Sequence, residues 1–382
     1  MPWSARKGFH EPTAKVFALV FGTIMTMALF ANVTNLRRMD FISFWAAGKL
    51  TLAGNPLAAF DIADHNRLQQ SLVQFEGLMP FAYPPPFLLF VTPFALLPYA
   101  IAAVVWVGLT YALYILAARK FAPSSGWTAA AFPPVLLNGI IAQNGLLTGG
   151  IFIFGAALLK SRPFQAGLVM GCLVIKPHLG VLLPLAFAAG GHWRAFAGAA
   201  ASSLGLLLIA LLVFGAGTYE AFFEQMPLFS SIAADGLVGW HKMASVYASM
   251  RLFGAGATAA WSGHAIIACI ATLAVWTAWR RKIEPEAKVA VLAAATVLIS
   301  PYIYLYDTVL LVLPFLWLAR KGEDWRVLGA LWCIPLVVVL QNWGFNETFN
   351  PAPLLPIALI VLVWRRVQMT PREMESPRAA AH

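Results

Sequence analysis

Four long stretches of this chain contain no Asp, Glu, Lys or Arg: residues 77–118, 121–159, 195–219 and 252–279. A bilayer-spanning helix needs about 20 apolar residues, so each stretch can hold at least one span. Only 11% of the 382 residues are charged, whereas an ordinary soluble domain carries about 25%. The pattern predicts an all-α polytopic membrane protein.

The basic residues occur in short clusters beside the apolar runs, such as 119–120, 280–282 and 365–366. Clusters of this kind mark cytoplasmic loops, so the net charge of +10 does not indicate a nucleic-acid surface, and no nucleic-acid partner is expected. Placing these clusters inside predicts about twelve spans, several of them short or re-entrant, with both termini in the cytoplasm.

This topology divides the chain simply. Residues 1–367 are predicted to form a single transmembrane domain, with 35–86 as the first periplasmic loop and 216–255 as the second. The polar residues 368–382 are predicted to be a disordered cytoplasmic tail. The three cysteines of the whole chain are far apart and show no metal-ligand or redox spacing.

Three hairpins are too short for two full spans. Between Arg162 and Arg194, both assigned to the inside, lie 31 residues, whereas two spans and a turn need more than about 40. The same holds for 121–159 and 283–319, with polar tips near Asn144 and at 300–307. Irregular backbone at membrane depth is tolerated only where protein buries it or water reaches it. The three tips are therefore predicted to share one cavity that opens outward.

Lys176 is the clearest candidate site residue, because a charged side chain within the bilayer is costly unless it has a function. Pro177 interrupts its helix and His178 follows. A cation, a titratable ring and a broken helix suit a bound phosphate. Two alternatives remain open, namely that Lys176 reaches toward the interface or that it pairs with Asp307.

Asp307 lies between two apolar runs and follows Tyr302, Tyr304 and Tyr306. A pocket lined by hydroxyls and containing an acid suits sugar binding or proton transfer. The alternative is a carboxylate that the tyrosines hydrogen-bond in order to tie helices together.

Asp40 follows the first span and precedes Phe41, Phe44 and Trp45. A carboxylate there can accept a proton from an incoming hydroxyl, and the aromatic rings can stack on a sugar or lie at the lipid interface. The alternative is a helix N-cap for residues 41–53.

Arg37 and Arg38 form a basic pair that this topology places outside. Either the positive-inside rule is overridden locally, or the pair contacts phosphates. Tyr83 opens a stiff run of three prolines that fixes how the first loop re-enters the membrane.

Several short motifs resemble those of glycosyltransferase family 87. They are Asp40, the small residues 46–48, Gly54-Asn55-Pro56, Tyr83 with the prolines after it, Pro93, Leu97-Pro98, Asn144-Gly145 and Lys176-Pro177. The resemblance covers roughly residues 35–310. In place of the histidine that the family often has after its late Ser-Pro segment, this chain has Tyr302, Tyr304, Tyr306 and Asp307 after Ser300-Pro301.

The resemblance implies a GT-C-type fold and an enzyme of the bacterial inner membrane whose active site faces the periplasm. It would move a hexose, expected to be mannose, from a polyprenyl-monophosphate donor to a lipid-linked or envelope glycan acceptor. The family's catalytic acid corresponds to Asp40, which would act as general base with inversion. Lys176, Arg37, Arg38 or His178 would hold the leaving phosphate.

Under the same resemblance, Asn144, Asp307, Tyr302, Tyr304, Tyr306, Trp45 and Tyr83 are further candidates for substrate contact. No cofactor and no obligatory metal are expected, and membrane lipids are the other expected partners. Broken helices with polar groups at mid-depth also fit a transporter or flippase of a lipid-linked sugar, and a polymerase or ligase of surface polysaccharide would share the lipid donor.

Overall fold

A computed structural model describes residues 11–35, 37, 39–73, 75, 77–341 and 349–368. Within these ranges the chain consists of α-helices joined by short 3₁₀ turns and contains no β-strand. One isolated bridge pairs Met243 with Tyr304. The predicted all-α class is confirmed for the described residues.

The first part of the chain supplies helices of very unequal length. They are α1 (Glu11–Thr34), α2 (Phe41–Leu52), α3 (Ile62–Leu72), α4 (Pro86–Val91), α5 (Tyr99–Phe121), α6 (Gly126–Ala130), α7 (Pro133–Ile141), α8 (Gly145–Leu158), α9 (Pro163–Gly171) and α10 (Leu183–Ala189).

The second part follows the same style. Its helices are α11 (Trp193–Phe214), α12 (Gly217–Ala234), α13 (Val246–Leu252), α14 (Ala257–Arg280), α15 (Pro285–Ile299), α16 (Val312–Arg320), α17 (Trp325–Gln341) and α18 (Leu354–Gln368).

Among the described residues, four helices are long and apolar enough to cross a bilayer: α1, α5, α11 and α14. The remaining apolar helices are shorter, so twelve spans and cytoplasmic termini stay predictions. The predicted tail needs one adjustment. Gln368 is the last residue of α18, and residues 369–382 lie outside the described part of the chain.

The three predicted hairpin breaks are present. Helix α7 ends at Ile141 and α8 begins at Gly145. The α9 hairpin turns through two 3₁₀ segments, Cys172–Ile175 and Pro177–Leu179, because Pro177 cannot continue a helix. The third break lies between α15 and the 3₁₀ segment Leu305–Leu311.

Close backbone contact fixes the α9 hairpin. Helix α9 carries Gly167 and Gly171 at a four-residue spacing, and this face packs on α11 at Gly198. A Cβ on Gly167 would lie 2.0 Å from the carbonyl oxygen of Ala195, and one on Gly198 would lie 2.2 Å from that of Phe164. Small residues at this spacing let helix backbones touch, and here they set the depth of the Lys176 tip.

The first loop contains more buried structure than a polar passage suggests. Residues Phe41 to Gly48 of α2 are all buried. On α3, the buried His65 ring donates from Nε2 to the carbonyl oxygen of Ser43 at 3.0 Å and accepts at Nδ1 from the Gln69 amide at 2.8 Å. This pairing uses the neutral ring and fastens α3 to the first turn of α2.

Substituting Gly167→Ala should destabilise the protein by about 1–3 kcal/mol, because the added methyl group cannot fit against the Ala195 carbonyl. Thermal unfolding of the purified protein in detergent measures the change. Gly205→Ala on α11 is the matched control, since a Cβ there meets nothing within 4 Å. Equal behaviour of the two variants would show that the α9–α11 contact can relax.

His65 should make the protein acid-sensitive. Burial lowers the pKa of His65 to about 4, although its hydrogen bond with Ser43 raises it in part. The unfolded chain therefore binds a proton at higher pH than the folded one, and stability falls as the pH drops from about 6.5 to about 4. Unfolding temperatures across this range measure the effect. A His65→Gln variant should show a shallower slope, and an unchanged slope would contradict the assignment.

Candidate active site

The three hairpin tips meet at Lys176. Its Nζ donates to Asp307 Oδ1 at 2.6 Å and to Asn144 Oδ1 at 3.0 Å. The Lys176 side chain is 6% exposed and that of Asp307 0%. Of the three alternatives that the sequence left open, the structure contains the ion pair. A Lys176 side chain that reaches toward the interface is wrong, because its ammonium is buried.

Aromatic rings enclose this ion pair. The Lys176 ammonium lies 4.9 Å from the centre of the Tyr306 ring and 5.8 Å from that of Tyr83, distances at which a ring face attracts a cation. The Tyr304 and Tyr306 rings stack, with their centres 5.3 Å apart and their planes 4° from parallel. The alternating tyrosines thus form a stacked pair of rings, of which Tyr306 lies against the Lys176 ammonium.

Three buried polar atoms in this cluster have no hydrogen-bond partner among the described residues: Asp307 Oδ2, Asn144 Nδ2 and His178 Nε2. Buried polar groups normally pair, so such atoms mark a place where a further polar group can bind. A hydroxyl can donate to the carboxylate oxygen and accept from the amide, which makes the pair Asp307 and Asn144 suited to an alcohol.

Asp40 comes to the same place from the start of α2. Its carboxylate oxygen Oδ2 accepts from the Gln143 amide at 3.2 Å, and its backbone N–H donates to the carbonyl oxygen of Ile141 at 2.9 Å. The residue occupies the N-cap position that the sequence indicated, yet its side chain makes no capping hydrogen bond to α2. The carboxylate is therefore directed toward the α7–α8 tip and is half-buried there.

Gln143 connects the two halves of the cluster. Its Oε1 accepts from the Tyr83 hydroxyl at 3.2 Å and from the Asn144 backbone N–H at 2.7 Å, while its Nε2 donates to Asp40. Ala142 before it adopts a left-handed φ of 53°, which is uncommon for a residue with a Cβ. Sequence reasoning identified the tip but selected Asn144 alone, although a glutamine within an apolar hairpin was a usable signal.

Electrostatic interaction joins the two acids. Asp40 is near enough to Lys176, Tyr304 and Tyr306 to interact with each of them. Asp307 and Asp40 therefore both act on the Lys176 ammonium.

Two of the other predicted site residues, Trp45 and Tyr302, pack outside this cluster. The indole of Trp45 donates to the carbonyl oxygen of Leu97 at 3.0 Å and is buried in the packing of α2. Tyr302 packs against Trp261, with ring centres 6.0 Å apart. Arg37 is exposed near the end of α1, and Arg38 lies outside the described residues.

Two further expectations for the site concern metal binding and a cavity that opens outward. Within the described ranges, no three His, Cys, Asp or Glu side chains group as metal ligands would. The cavity that opens outward stays a prediction, because the tips pack on one another here.

Breaking the ion pair on one side should cost about 3–5 kcal/mol of stability, because the other charge is left buried without a partner. Lys176→Met measures this by thermal or denaturant unfolding in detergent, and the double variant Lys176→Met with Asp307→Leu should recover much of the loss. Glu284→Gln, in the exposed pair with Lys321, is the control and should cost about 1 kcal/mol or less. A double variant as unstable as the single one would contradict the pairing.

The sequence profile of glycosyltransferase family 87 matches residues 81–301, which is 221 of the 382 residues. The matched range includes the tips at Asn144 and Lys176, begins after Asp40 and ends before Asp307. No curated protein and no solved structure matches the chain significantly. Since the family match covers more than half of the chain and four helices can cross a bilayer, the protein belongs to glycosyltransferase family 87 and is a membrane glycosyltransferase.

Proposed function

We propose that the protein transfers a hexose, with mannose the expected sugar, from a polyprenyl-monophosphate donor to a hydroxyl of a lipid-linked or envelope glycan. The reaction would occur on the periplasmic face of a bacterial inner membrane, within a GT-C-type fold. The observation that carries the proposal is the meeting of Asp40 with the three hairpin tips. It places a carboxylate, a buried ammonium and stacked tyrosine rings around one point.

The choice of general base rests on the contrast between the two acids. Asp307 is fully buried and held by Lys176 at 2.6 Å. Asp40 is half-buried, so an acceptor hydroxyl can reach its carboxylate, which also accepts from the Gln143 amide. Because the family match starts at residue 81, this assignment depends on geometry and on the resemblance of the first loop.

The proposed transfer is a displacement at the anomeric carbon of the donor sugar. Asp40 takes the proton of the acceptor hydroxyl while that oxygen attacks the anomeric carbon of the donor sugar. The new glycosidic bond forms as the bond from the anomeric carbon to the phosphate oxygen breaks, with inversion at that carbon. Polyprenyl phosphate leaves with the bonding electron pair. Gln143 keeps the carboxylate oriented through its amide, which makes it a positioning residue.

The leaving phosphate gains negative charge and needs cations nearby. Lys176 can supply part of this, although its charge is shared with Asp307. We assign the rest to Arg37, which is exposed three residues before the proposed base, with Arg38 and His178 as further candidates. Lys176 would then have two roles, since it pairs with Asp307 in the fold and contacts the phosphate.

The donor or acceptor sugar would lie on the tyrosine rings. Tyr304 and Tyr306 present a stacked pair, and Asp307 Oδ2 with Asn144 Nδ2 can hold one sugar hydroxyl. Tyr83 would act indirectly by fixing Gln143. Trp45 and Tyr302 are given no direct sugar contact, because each is engaged in packing away from the cluster.

Transport of a lipid-linked sugar is the alternative function. Family membership favours transfer, and one assay separates the two. Purified protein in liposomes receives synthetic polyprenyl-phosphate-mannose labelled in the sugar, with a lipid extract of the host as acceptor. Label in a new product supports transfer, whereas label that crosses the bilayer unchanged supports transport. A panel of other polyprenyl-phosphate hexoses identifies the sugar.

Asp40→Asn should lower the transfer rate by about 10²–10⁴-fold, since the amide cannot accept the proton. The radiolabel assay measures the rate. Asp61→Asn is the matched control, because Asp61 caps α3 in the same loop and asparagine caps equally well, so its rate should stay near that of the unmodified protein. A folded Asp40→Asn protein with nearly full activity would exclude Asp40 as the base.

A further inference from the structure

Residues 77–219 contain six Lys and Arg residues and no Asp or Glu. Lys176 is neutralised by Asp307, which follows much later in the chain. The other five cations lie in short connections or in the last and first turns of helices. Residues 77–219 therefore carry positive charge with no carboxylate of their own to balance it.

Two of these cations line a cleft of about 650 Å³. Lys120 comes from the last turn of α5, and Arg162 immediately precedes α9. The rest of the wall is mostly apolar, with Phe154, Leu158 and Val169, and it also includes Ser161 and Gln165. All of the residues that line the cleft are described in the structure, and no acid is among them.

The cleft is remote from the candidate active site. Helix α8 begins beside Asn144 at the tip cluster and ends at Leu158 in the cleft. Its 14 residues span about 20 Å at 1.5 Å per residue. A ligand headgroup in the cleft therefore cannot contact Asp40 or Lys176, and the cleft is a different site from the one that binds the donor.

We propose that this cleft binds an anionic phospholipid of the surrounding membrane, with its phosphate between Lys120 and Arg162 and an acyl chain along Phe154, Leu158 and Val169. The two halves of the cleft select this class of ligand. A free anion has no use for the apolar wall, and a zwitterionic lipid gains little net attraction from two cations. Basic pockets between membrane helices favour anionic headgroups for this reason.

Helix α9 adds to the attraction. No side chain caps its N-terminus, Pro163 has no N–H, and the Ala166 N–H donates to the carbonyl oxygen of Arg162. The backbone N–H groups of Phe164 and Gln165 therefore remain for a ligand at the positive end of the helix dipole. The Arg162 guanidinium contacts the Gln165 side chain at 3.4 Å, a weak contact that leaves most of its donors for a phosphate.

The test is native mass spectrometry of the full chain released from detergent, titrated with phosphatidylglycerol or phosphatidylcholine. We expect tighter retention of phosphatidylglycerol. Lys120→Gln should weaken it about fivefold, and the double variant Lys120→Gln with Arg162→Gln about 25-fold. All four residues changed here and in the control are exposed, so the variants should elute from size exclusion as the unmodified protein does.

The matched control removes the same charge from the same surface. Arg119→Gln with Lys160→Gln changes the neighbouring cations that do not line the cleft, and should weaken retention less than about threefold. Equal losses in the two double variants, or equal retention of the two lipids, would overturn the proposal. Displacement of phosphatidylglycerol by millimolar inorganic phosphate would also overturn it, because the apolar wall would then contribute nothing.

Discussion

The ion pair between Lys176 and Asp307 is the interaction on which the rest of the structure depends. An ammonium at membrane depth is costly unless a carboxylate meets it, and the carboxylate is equally costly alone. The two residues are 131 positions apart, so their pairing forces the second and third hairpin tips together. Asn144 draws in the first tip through the same ammonium. The three helix breaks, whose irregular backbone would otherwise be exposed, bury one another.

Much of this arrangement could be predicted from the sequence, because it depends on how many residues separate the basic clusters. Counting residues between basic clusters located the three tips, and the apolar runs predicted the class of fold. The partner of Lys176 could not be chosen from the sequence, since phosphate, interface and Asp307 all satisfy a buried cation. For Asp40, local pattern gave the position before a helix correctly, whereas the direction of its side chain depends on Gln143, about a hundred residues later. Likewise, nothing local showed that Phe41 to Gly48 of α2 are buried on every side.

Small residues determine the geometry of the cluster as much as charged residues do. Gly167, Gly171 and Gly198 allow α9 and α11 to touch, and a Cβ on Gly145 would lie 2.4 Å from the carbonyl oxygen of Tyr306. At each of these four glycines a backbone carbonyl oxygen occupies the place that a Cβ would need. The tip that bears Asn144 is consequently held against the segment that bears Asp307 by backbone geometry, and the polar atoms meet because the backbones already do. Family 87 membership adds that the region from 81 to 301, which contains most of these contacts, is what the chain shares with its relatives.

The two hydrogen bonds that hold Asp40 determine which parts of the cluster move together. Its backbone N–H is held by Ile141 and its carboxylate by Gln143, so the residue and the α7–α8 tip form one rigid body. On the other side, the backbone N–H of Ala244 donates to the carbonyl oxygen of Ile303 at 2.7 Å, and Met243 pairs with Tyr304. The loop before α13 therefore moves with the tyrosines as a second body. Asn144 and Gly145 tie the two bodies together, through Lys176 and through close contact with the carbonyl oxygen of Tyr306, so Asp40 and the stacked tyrosines keep a set separation.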